Sequence, residues 1–483
     1  MTPEEMNQQN NGESEEDPNR EKKAWDFIFR GMWRSPLGLM GITITTICAT
    51  LMIFGLLLDQ LGIIHNPYAA MITFMILPGG FITGLLLIPI AAFIRRRRWH
   101  KYGISREHLH INLSDHRHRK FVVFFIAMSV VNIAILGVIA YEGYHFTDSS
   151  YFCGQVCHTV MEPEYTVYQR SPHAKVACVE CHIGPGADWF VRAKISGLRQ
   201  VVAVFTNSYN RPVPAPVEHL RPARDTCEHC HWPEKFHGKK VKIFNHFTND
   251  NQAPPTVTEI ALHIGGRNPK TDAFEGIHWH VSKNVQVSYL AADAKRSQIA
   301  RVKVKRPDGS EEEFVKDSIV VPKDKEAQWR VMDCIDCHNR PTHVYDSKES
   351  VVDFGLLSKR INPDIPGIRE DALAVIVGDY KTRDEAKSKM VNDLVELQNK
   401  RDATKAKSFD ADIRKAGEYI LEGYLNNIWP ELNIKWGTYG SHLGHQRADE
   451  GYGCFRCHDE EHKSAKGGSI SQDCTNCHDE PPA

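Results

Sequence analysis

The chain repeats one short motif, Cys-x-x-Cys-His, five times along its 483 residues. The copies begin at Cys178, Cys227, Cys334, Cys454 and Cys474. Two cysteines three positions apart can form thioether bonds to both vinyl groups of one haem, and the histidine that follows then lies under the iron as its proximal ligand. The repetition therefore predicts a multihaem c-type cytochrome.

A sixth copy of the motif, Cys153-Gly154-Gln155-Val156-Cys157-His158, has one extra residue between its cysteines. We therefore expect six covalently bound haem c groups, and no haem b, because the apolar spans described below contain no histidine to bind one. The predicted attachment residues are Cys153, Cys157, Cys178, Cys181, Cys227, Cys230, Cys334, Cys337, Cys454, Cys457, Cys474 and Cys477. The predicted proximal ligands are His158, His182, His231, His338, His458 and His478.

Zinc sites and disulfides are the alternative interpretations of paired cysteines. Neither explains why a histidine follows the second cysteine in all six copies. Zinc would also require the pairs to combine into fours, and disulfides between residues three apart are uncommon. Only Cys48 lies outside a motif, in an apolar stretch where a small buried side chain is the expected role.

A long apolar region precedes the motifs. Between residues 36 and 94 the only charged side chain is that of Asp59. Because a membrane helix needs about 20 apolar residues, this region predicts two spans, at residues 38–58 and 69–94. Residues 121–141 supply a third span of suitable length.

The loops between the spans predict how the chain crosses the membrane. Residues 95–120 contain nine Lys and Arg side chains, whereas residues 59–68 contain none. Short cytoplasmic loops carry the excess of positive charge, so residues 1–35 are predicted to be a disordered cytoplasmic tail. Everything after about residue 142 then lies across a bacterial inner membrane, in the periplasm, where c-type haem is attached.

The predicted fold class is a membrane protein with three transmembrane α-helices and a periplasmic multihaem region, mostly α-helical and irregular with a β insertion. Residues 142–350 hold the first four motifs, and β-rich segments mark an insertion at about 238–330, with residues 306–309 as a hairpin turn. Residues 351–430 show a helical pattern, and residues 431–483 hold the last two motifs.

A six-coordinate haem needs a second axial ligand, usually His and less often Met. Thirteen histidines beyond the third span lie outside the motifs, so counting alone does not assign them. Compact arrangements in the sequence mark the candidates His173, His278, His280, His343, His442, His445 and His462. Met161, three residues after His158, is the candidate for the first iron.

Part of the chain resembles a known family. The run at 151–158 is followed by Met161, Pro163, Tyr168, the triplet at 171–173 and the motif at 178–182. This pattern, with the helix before it, is similar to the NapC/NirT family of membrane-anchored quinol dehydrogenases over about residues 120–345. The resemblance implies a tetrahaem domain that oxidises membrane quinol and passes electrons to periplasmic c-type cytochromes or reductases.

The three spans, the β insertion and the additional carboxy-terminal motifs resemble the larger ImcH-type inner-membrane cytochromes of metal-reducing bacteria. That likeness implies a role in anaerobic or extracellular respiration. The family resemblance also makes His173 the distal ligand of the haem on Cys334 and Cys337, and it makes His343 that of the haem on Cys178 and Cys181.

Two departures from the family pattern affect the first haem and the quinol site. The first motif has three residues between its cysteines, and Met161 follows the histidine by three residues instead of two. Lys194 fits the lysine that the family carries near the quinol, but the acid expected after it is missing. The substitutes for the group that accepts the quinol protons are Asp188, Glu142, Glu162 and His145.

Quinol oxidation releases two protons and two electrons, so it requires a base near a haem edge at the membrane surface. The first motif begins about a dozen residues after the third span ends, which favours a quinol dehydrogenase. The alternative is a terminal multihaem reductase of a small oxyanion such as nitrite, in which one iron keeps an open position. A net charge of −1 gives no reason to expect a nucleic acid partner, and a homo-oligomer is left open.

Overall fold

The computed structural model divides the chain into two compact units, residues 1–152 and 153–483. It describes residues 35–60, 72–101, 113–114, 116–156, 158–184, 186–217, 221–232, 236–249, 255–267, 274–445 and 453–479. The predicted tail at residues 1–35 lies almost wholly outside the described residues, as do residues 102–112 and 115 of the basic loop.

Within its described residues, the first unit contains three helices that are long and apolar enough to cross a membrane. They are α1 (Pro36–Gln60), α2 (Leu77–Lys101), which continues a π-helical turn at Ile72–Ile76, and α3 (His116–Asp148). The candidate spans within them are Pro36–Leu58, Ile72–Ile94 and Val122–Asp148. The third therefore extends beyond the 121–141 expected from the sequence.

Small residues allow α1 and α2 to approach closely. A Cβ atom added at Gly41 would lie 2.9 Å from the carbonyl oxygen of Gly84, and one at Gly80 would lie 2.7 Å from the sulfur of Cys48. Such small-residue contacts are typical of helices packed within a membrane. Cys48 is buried in this contact with Met52, in agreement with the role expected for it.

The second unit begins with short helices that surround the first three motifs. After a π-helical turn at Phe152–Val156, they are α4 (His158–Gln169), α5 (Cys178–His182), α6 (Ala187–Phe205) and α7 (Ala223–Cys227). Within α4, the ring of Tyr165 lies so close to Gly154 that a side chain there would collide with it. The extra residue of the first motif is thus accommodated in a π-helical turn packed against α4.

The β insertion consists of antiparallel strands. They are β1 (Lys239–His246), β2 (Thr256–His263), β3 (Gly266–Arg267), β4 (Phe274–Glu275), β5 (Gln286–Ala291), β6 (Ile299–Lys305), β7 (Glu311–Val315) and β8 (Arg330–Val331). A further strand, β9 (Lys463–Ser464), belongs to the carboxy-terminal segment. The main sheet has the order β8-β5-β6-β7-β9. The predicted hairpin turn at 306–309 is confirmed, because β6 and β7 pair on either side of it.

The sheet also holds the carboxy-terminal segment. Strand β9 pairs with the edge of β7, although it lies almost 150 residues further along the chain. At the other hairpin, the N–H of His263 donates to the carbonyl of Cys477, and the N–H of Asp479 donates to that of Ala261. The last motif is therefore attached to β2 by backbone hydrogen bonds, a contact that the sequence pattern did not predict.

Between the fourth and fifth motifs lies a helical segment. After α8 (Cys334–Cys337), it comprises α9 (Lys348–Leu357), α10 (Ile368–Ile376), α11 (Arg383–Ser408) and α12 (Asp410–Leu425). Its core is the largest cluster of buried apolar side chains in the described chain, and includes Val352, Ile376, Met390, Leu394 and Ile420. Burial of such side chains contributes about 1.5–3 kcal/mol each, so this segment is stabilised mainly by its own side chains.

Side-chain caps mark where these helices begin. The hydroxyl of Ser347 accepts a hydrogen bond from the N–H of Ser350 at 3.1 Å, and that of Thr382 accepts one from Glu385 at 3.1 Å. Each cap satisfies an amide that has no partner within the first turn of its helix. Asp402 interrupts α11 with φ −158° and ψ 97° and caps the turn that follows it.

Candidate haem centres

The five regular motifs form short helical turns that end at the histidine. In four of them, the histidine N–H donates to the carbonyl of the first cysteine, at 2.7 Å for His231, 2.8 Å for His338, and 3.1 Å for His458 and His478. This turn brings the first cysteine and the histidine together, as attachment to one haem requires. We number the candidate sites 1 to 6 by their motif histidines His158, His182, His231, His338, His458 and His478.

Each motif histidine of sites 2 to 6 lies beside a second histidine that comes from elsewhere in the chain. The ring centres are 5.9 to 6.4 Å apart. The pairs are His182 with His343 at 6.2 Å, His231 with His173 at 5.9 Å, His338 with His278 at 6.3 Å, His458 with His280 at 5.9 Å, and His478 with His445 at 6.4 Å.

This spacing matches the size of an iron atom held between two imidazoles. Two metal–nitrogen bonds of about 2 Å, with each ring centre about 1.2 Å beyond its nitrogen, place the ring centres about 6.3 Å apart. Imidazoles in direct hydrogen-bonded or stacked contact would lie closer together. The residues present at sites 2 to 6 therefore fit a haem with two axial histidines.

The paired histidines are also oriented for metal binding. In six of them, Nδ1–H donates to a backbone carbonyl, which leaves Nε2 for the iron. The acceptors are Pro341 for His173 (3.2 Å), Ile264 for His278 (3.0 Å), Ile277 for His280 (2.9 Å), Glu164 for His343 (3.1 Å), Ser471 for His458 (2.7 Å) and Asp479 for His478 (2.8 Å). A second partner of this kind fixes the tautomer and the ring orientation of a metal-binding histidine.

The structure brings His343 to His182, which is the pairing that the family resemblance implies. It does not bring His173 to His338. His173 lies beside His231, and His338 lies instead against His278 at an interplanar angle of 5°. The expected assignment of His173 to the Cys334 and Cys337 haem is therefore corrected to site 3.

One 3₁₀ helix, Ile277–Val281, carries the partners of two different sites. It begins after Gly276, whose φ of 74° is a conformation that favours glycine. His278 faces site 4 and His280 faces site 5, although they are only two residues apart. The compact spacing that marked them in the sequence thus reflects a short helix that joins two sites.

The remaining histidine candidates have different surroundings. Both ring nitrogens of buried His462 face acceptors, Nδ1 the carboxylate of Asp459 and Nε2 the carbonyl of Ile299, each at 2.9 Å. His462 is therefore not placed as an axial ligand, contrary to expectation. His442 is buried near Arg456, and burial together with that positive charge lowers its pKa to about 3.

Site 1 is described only in part. Cys153 is half-buried, and Met161 lies in the first turn of α4. Cys157 and the side chain of His158 lie outside the described residues. Ligation of the first iron by Met161 thus stays a prediction.

The thiols of consecutive motifs are neighbours. Burial raises the pKa of Cys181, and the thiols of Cys227 and Cys230 raise it further, which places site 2 beside site 3. The thiols of Cys227 and Cys334 are hydrogen-bonded to each other and so join site 3 to site 4.

The thiols of the fourth, fifth and sixth motifs are neighbours in the same way. Burial raises the pKa of Cys337 to about 12, with a further contribution from Cys454 of site 5. Burial also raises the pKa of Cys477, and Cys454 again contributes. Sites 2 to 6 therefore follow one another in space in the order in which they occur in the sequence.

A buried charge cluster supports site 4. Asp336, between the two cysteines of that motif, has a side chain only 1% exposed. Its carboxylate accepts hydrogen bonds from Tyr289 (2.7 Å), Arg330 (2.9 Å) and Arg296 (3.2 Å). Arg456 of site 5 donates to the carbonyls of Asp336 and Arg296 at 2.6 and 2.8 Å, so the cluster also joins two motifs.

The candidates for the quinol site are dispersed. In the first unit, the ring of His145 contacts Tyr141 and Tyr144 edge-on, and Glu142 is half-buried. In the second unit, Glu162 forms an ion pair with Arg383 at 3.6 Å. Lys194 lies half-buried on α6, and the side chain of Asp188 is outside the described residues.

Comparison with known proteins identifies the family. Residues 115–214 match the N-terminal region of the NapC/NirT cytochrome c family. The chain is also 39% identical over 453 residues to the cytochrome c-type protein ImcH of Geobacter sulfurreducens, an alignment that covers 93% of this chain and 88% of ImcH. The chain belongs to the NapC/NirT cytochrome c family. No solved structure matches it.

Family membership, together with three helices able to span a bilayer, establishes a membrane-anchored cytochrome that carries covalently bound haem c and transfers electrons. The predicted resemblance and fold class are confirmed. The paired histidines and the thiol order now give this NapC/NirT protein a specific arrangement of sites.

Proposed function

We propose that this cytochrome binds six haem c groups, oxidises membrane quinol and passes the electrons to periplasmic acceptors. The observation that carries the proposal is the set of five histidine pairs, spaced for an iron at each of sites 2 to 6. Haem c supplies one-electron redox chemistry when bound. The chain supplies two thiols and two imidazoles at each of these sites and holds the sites in a continuous series.

The series favours electron transfer over catalysis at a single centre. A reductase needs an open position on an iron for its substrate. Sites 2 to 6 each carry a second imidazole, which would fill that position. Only site 1, where Met161 is the candidate, is left for an iron of different ligation, and its place at the start of the series suits entry of electrons.

Helix α6 suits a location at the bilayer surface. Its exposed apolar side chains are spaced for one face of a helix and are 53–83% exposed; they are Val191, Ile195, Leu198, Val202 and Phe205. At about 100° per residue, Arg192 and Arg199 flank this stripe on one side and Lys194 flanks it on the other. An apolar stripe bordered by basic residues is typical of helices that lie in the membrane interface.

An interfacial α6 would place Lys194 at the depth where a quinol headgroup is found. A cationic side chain there suits a quinol oxygen that gains negative charge as its proton leaves. Glu162 and Asp188 are the candidates to accept the protons in the second unit, and His145 and Glu142 are those in the first. The proposed setting is the inner membrane, with sites 1 to 6 on the periplasmic side and periplasmic c-type cytochromes as acceptors.

The test is a quinol assay on the purified full-length chain in detergent, with a menaquinol analogue as the only reductant. We expect haem reduction by quinol, six haems by pyridine haemochrome and intact mass, and low-spin spectra for at least five of them. If dithionite reduces the haems and quinol does not, the proposal is wrong. A high-spin haem with nitrite turnover from an artificial donor would favour the reductase instead.

A further inference from the structure

His343 differs from the other paired histidines in what its Nδ1 faces. Within the described chain, it is the one paired histidine with a carboxylate oxygen at its ring: Nδ1 lies 3.0 Å from Oε2 of Glu164, in addition to 3.1 Å from the backbone oxygen of the same residue. The other Nδ1 partners described above are carbonyl groups alone. Site 2 therefore has a formal negative charge next to its second imidazole.

The carboxylate is held in place by two further residues. The side chain of Glu164 is 15% exposed. The guanidinium of Arg340 lies 3.5 Å from Oε1 of Glu164, and the hydroxyl of Tyr345 donates to the same oxygen at 3.3 Å. Arg340 is itself only 10% exposed. Because both charges are removed from most of the solvent, their effect on nearby groups is screened less than at a surface.

Glu164 also belongs to the helix of the preceding site. Helix α4 begins at His158, the motif histidine of site 1, and Glu164 lies two turns further along it. The carboxylate therefore connects the helix of site 1 to the second imidazole of site 2. Nothing in the motif pattern marks this residue, because its partners lie about 176 to 181 positions away.

The negative charge of a carboxylate beside Nδ1 stabilises the partial positive charge of the ring N–H and makes the imidazole a stronger electron donor to its metal. A stronger electron donor stabilises Fe(III) relative to Fe(II), so the haem becomes harder to reduce. We propose that Glu164 is a positioning residue whose charge, acting through His343, lowers the redox potential of the haem at site 2. The inference rests on the proposed function, in which His343 is an axial ligand.

Two substitutions should shift the potential of site 2 in opposite directions. Glu164→Gln keeps the size of the side chain but removes its charge and leaves Arg340 uncompensated, so one haem should become easier to reduce. Arg340→Gln removes the counter-charge and should make the same haem harder to reduce. We expect about a tenfold change in the reduction equilibrium for each variant, which is about 59 mV for one electron.

The measurement is a potentiometric titration of the full-length holoprotein in detergent, followed at the haem α-band and by electron paramagnetic resonance. Asp353→Asn is the matched control, because Asp353 is also a part-buried carboxylate paired with an arginine, Arg369, at 2.7 Å. This pair lies in the helical segment and contacts no paired histidine in the described structure. We expect the control to leave every potential unchanged.

Opposite shifts of one component support the inference. Unchanged potentials, shifts in the same direction, or a new high-spin signal in Glu164→Gln would overturn it, the last because Glu164 would then only hold the ligand mechanically. If Glu164→Gln does not fold, Arg340→Gln decides alone, with a downward shift in support and no shift against. Wild-type protein that lacks low-spin bis-histidine signals would instead refute the proposed function.

Discussion

Replacing Asp336 by Asn should destabilise the second unit while leaving the Cys334 motif able to bind haem. The carboxylate is 1% exposed and accepts from Tyr289, Arg296 and Arg330. Asparagine has the same shape but no charge, so the two arginines lose their counter-ion. The Asp336→Asn substitution therefore tests the contribution of the charge separately from that of side-chain packing.

The size of the effect follows from the burial of each partner. Removing one member of a buried ion pair costs about 3–5 kcal/mol, because the other charge remains uncompensated. Arg296 and Arg330 keep 21% and 32% exposure, so both side chains can turn toward water after the change. We therefore expect the lower end of that range, about 3 kcal/mol, which for a unit of this size is a fall in Tm of roughly 4 °C.

The assay is thermal unfolding of the detergent-solubilised holoprotein, followed by circular dichroism. Glu313→Gln is the control, since its ion pair with Arg301 is 3.5 Å long and exposed, and such pairs contribute less than about 1 kcal/mol. Tyr289→Phe should lie between the two, because it removes one hydrogen bond of about 1.5–3 kcal/mol to a charged acceptor. If Asp336→Asn unfolds at the same temperature as Glu313→Gln, the cluster does not stabilise site 4.

Three further predictions concern the route of the electrons. Met161→Leu should change the spectrum or potential of one haem and slow quinol oxidation without changing the haem count; bis-histidine spectra from all six wild-type haems would refute the role of Met161. Replacing Cys474 and Cys477 by Ala should remove one haem, preserve reduction of the others by quinol and slow transfer to a cytochrome acceptor; loss of reduction at the first four sites in folded protein would contradict this direction of flow. Leu198→Glu should lower quinol turnover at least severalfold by placing a charge in the apolar stripe of α6, whereas Ser196→Glu, on the polar face, should not; equal effects would argue against an interfacial helix.

The sequence patterns correctly predicted the features that depend on residues close together in the chain. The Cys-x-x-Cys-His spacing marked the motif turns, the absence of charge marked the spans, and residues 306–309 marked a hairpin that the strand pairing confirms. Each of these features is decided within about 20 residues, where the period of apolar residues and the chemistry of turns dominate.

Such patterns did not predict which histidines from distant parts of the chain lie beside each other. His173 lies five residues before the motif that begins at Cys178. Its ring nevertheless lies beside His231 and not beside His338, because the three-dimensional path of the chain decides which rings meet. His462 lies four residues after His458, which made it a candidate ligand. Its two ring nitrogens instead face the carboxylate of Asp459 and the carbonyl of Ile299 in β6. Neither Asp336 nor Glu164 was marked by the motif pattern, because most of their partners lie 40 or more positions away in the chain.

With the haem region exported as proposed, the order of the histidine pairs along the chain has a consequence for assembly. A chain that emerges amino terminus first presents His173, His278, His280 and His445 before the motif histidines they face. His343 alone follows its motif, 161 residues after His182. In this proposed topology, sites 3 to 6 can be completed as each motif emerges, whereas site 2 can be completed only after the fourth motif has emerged.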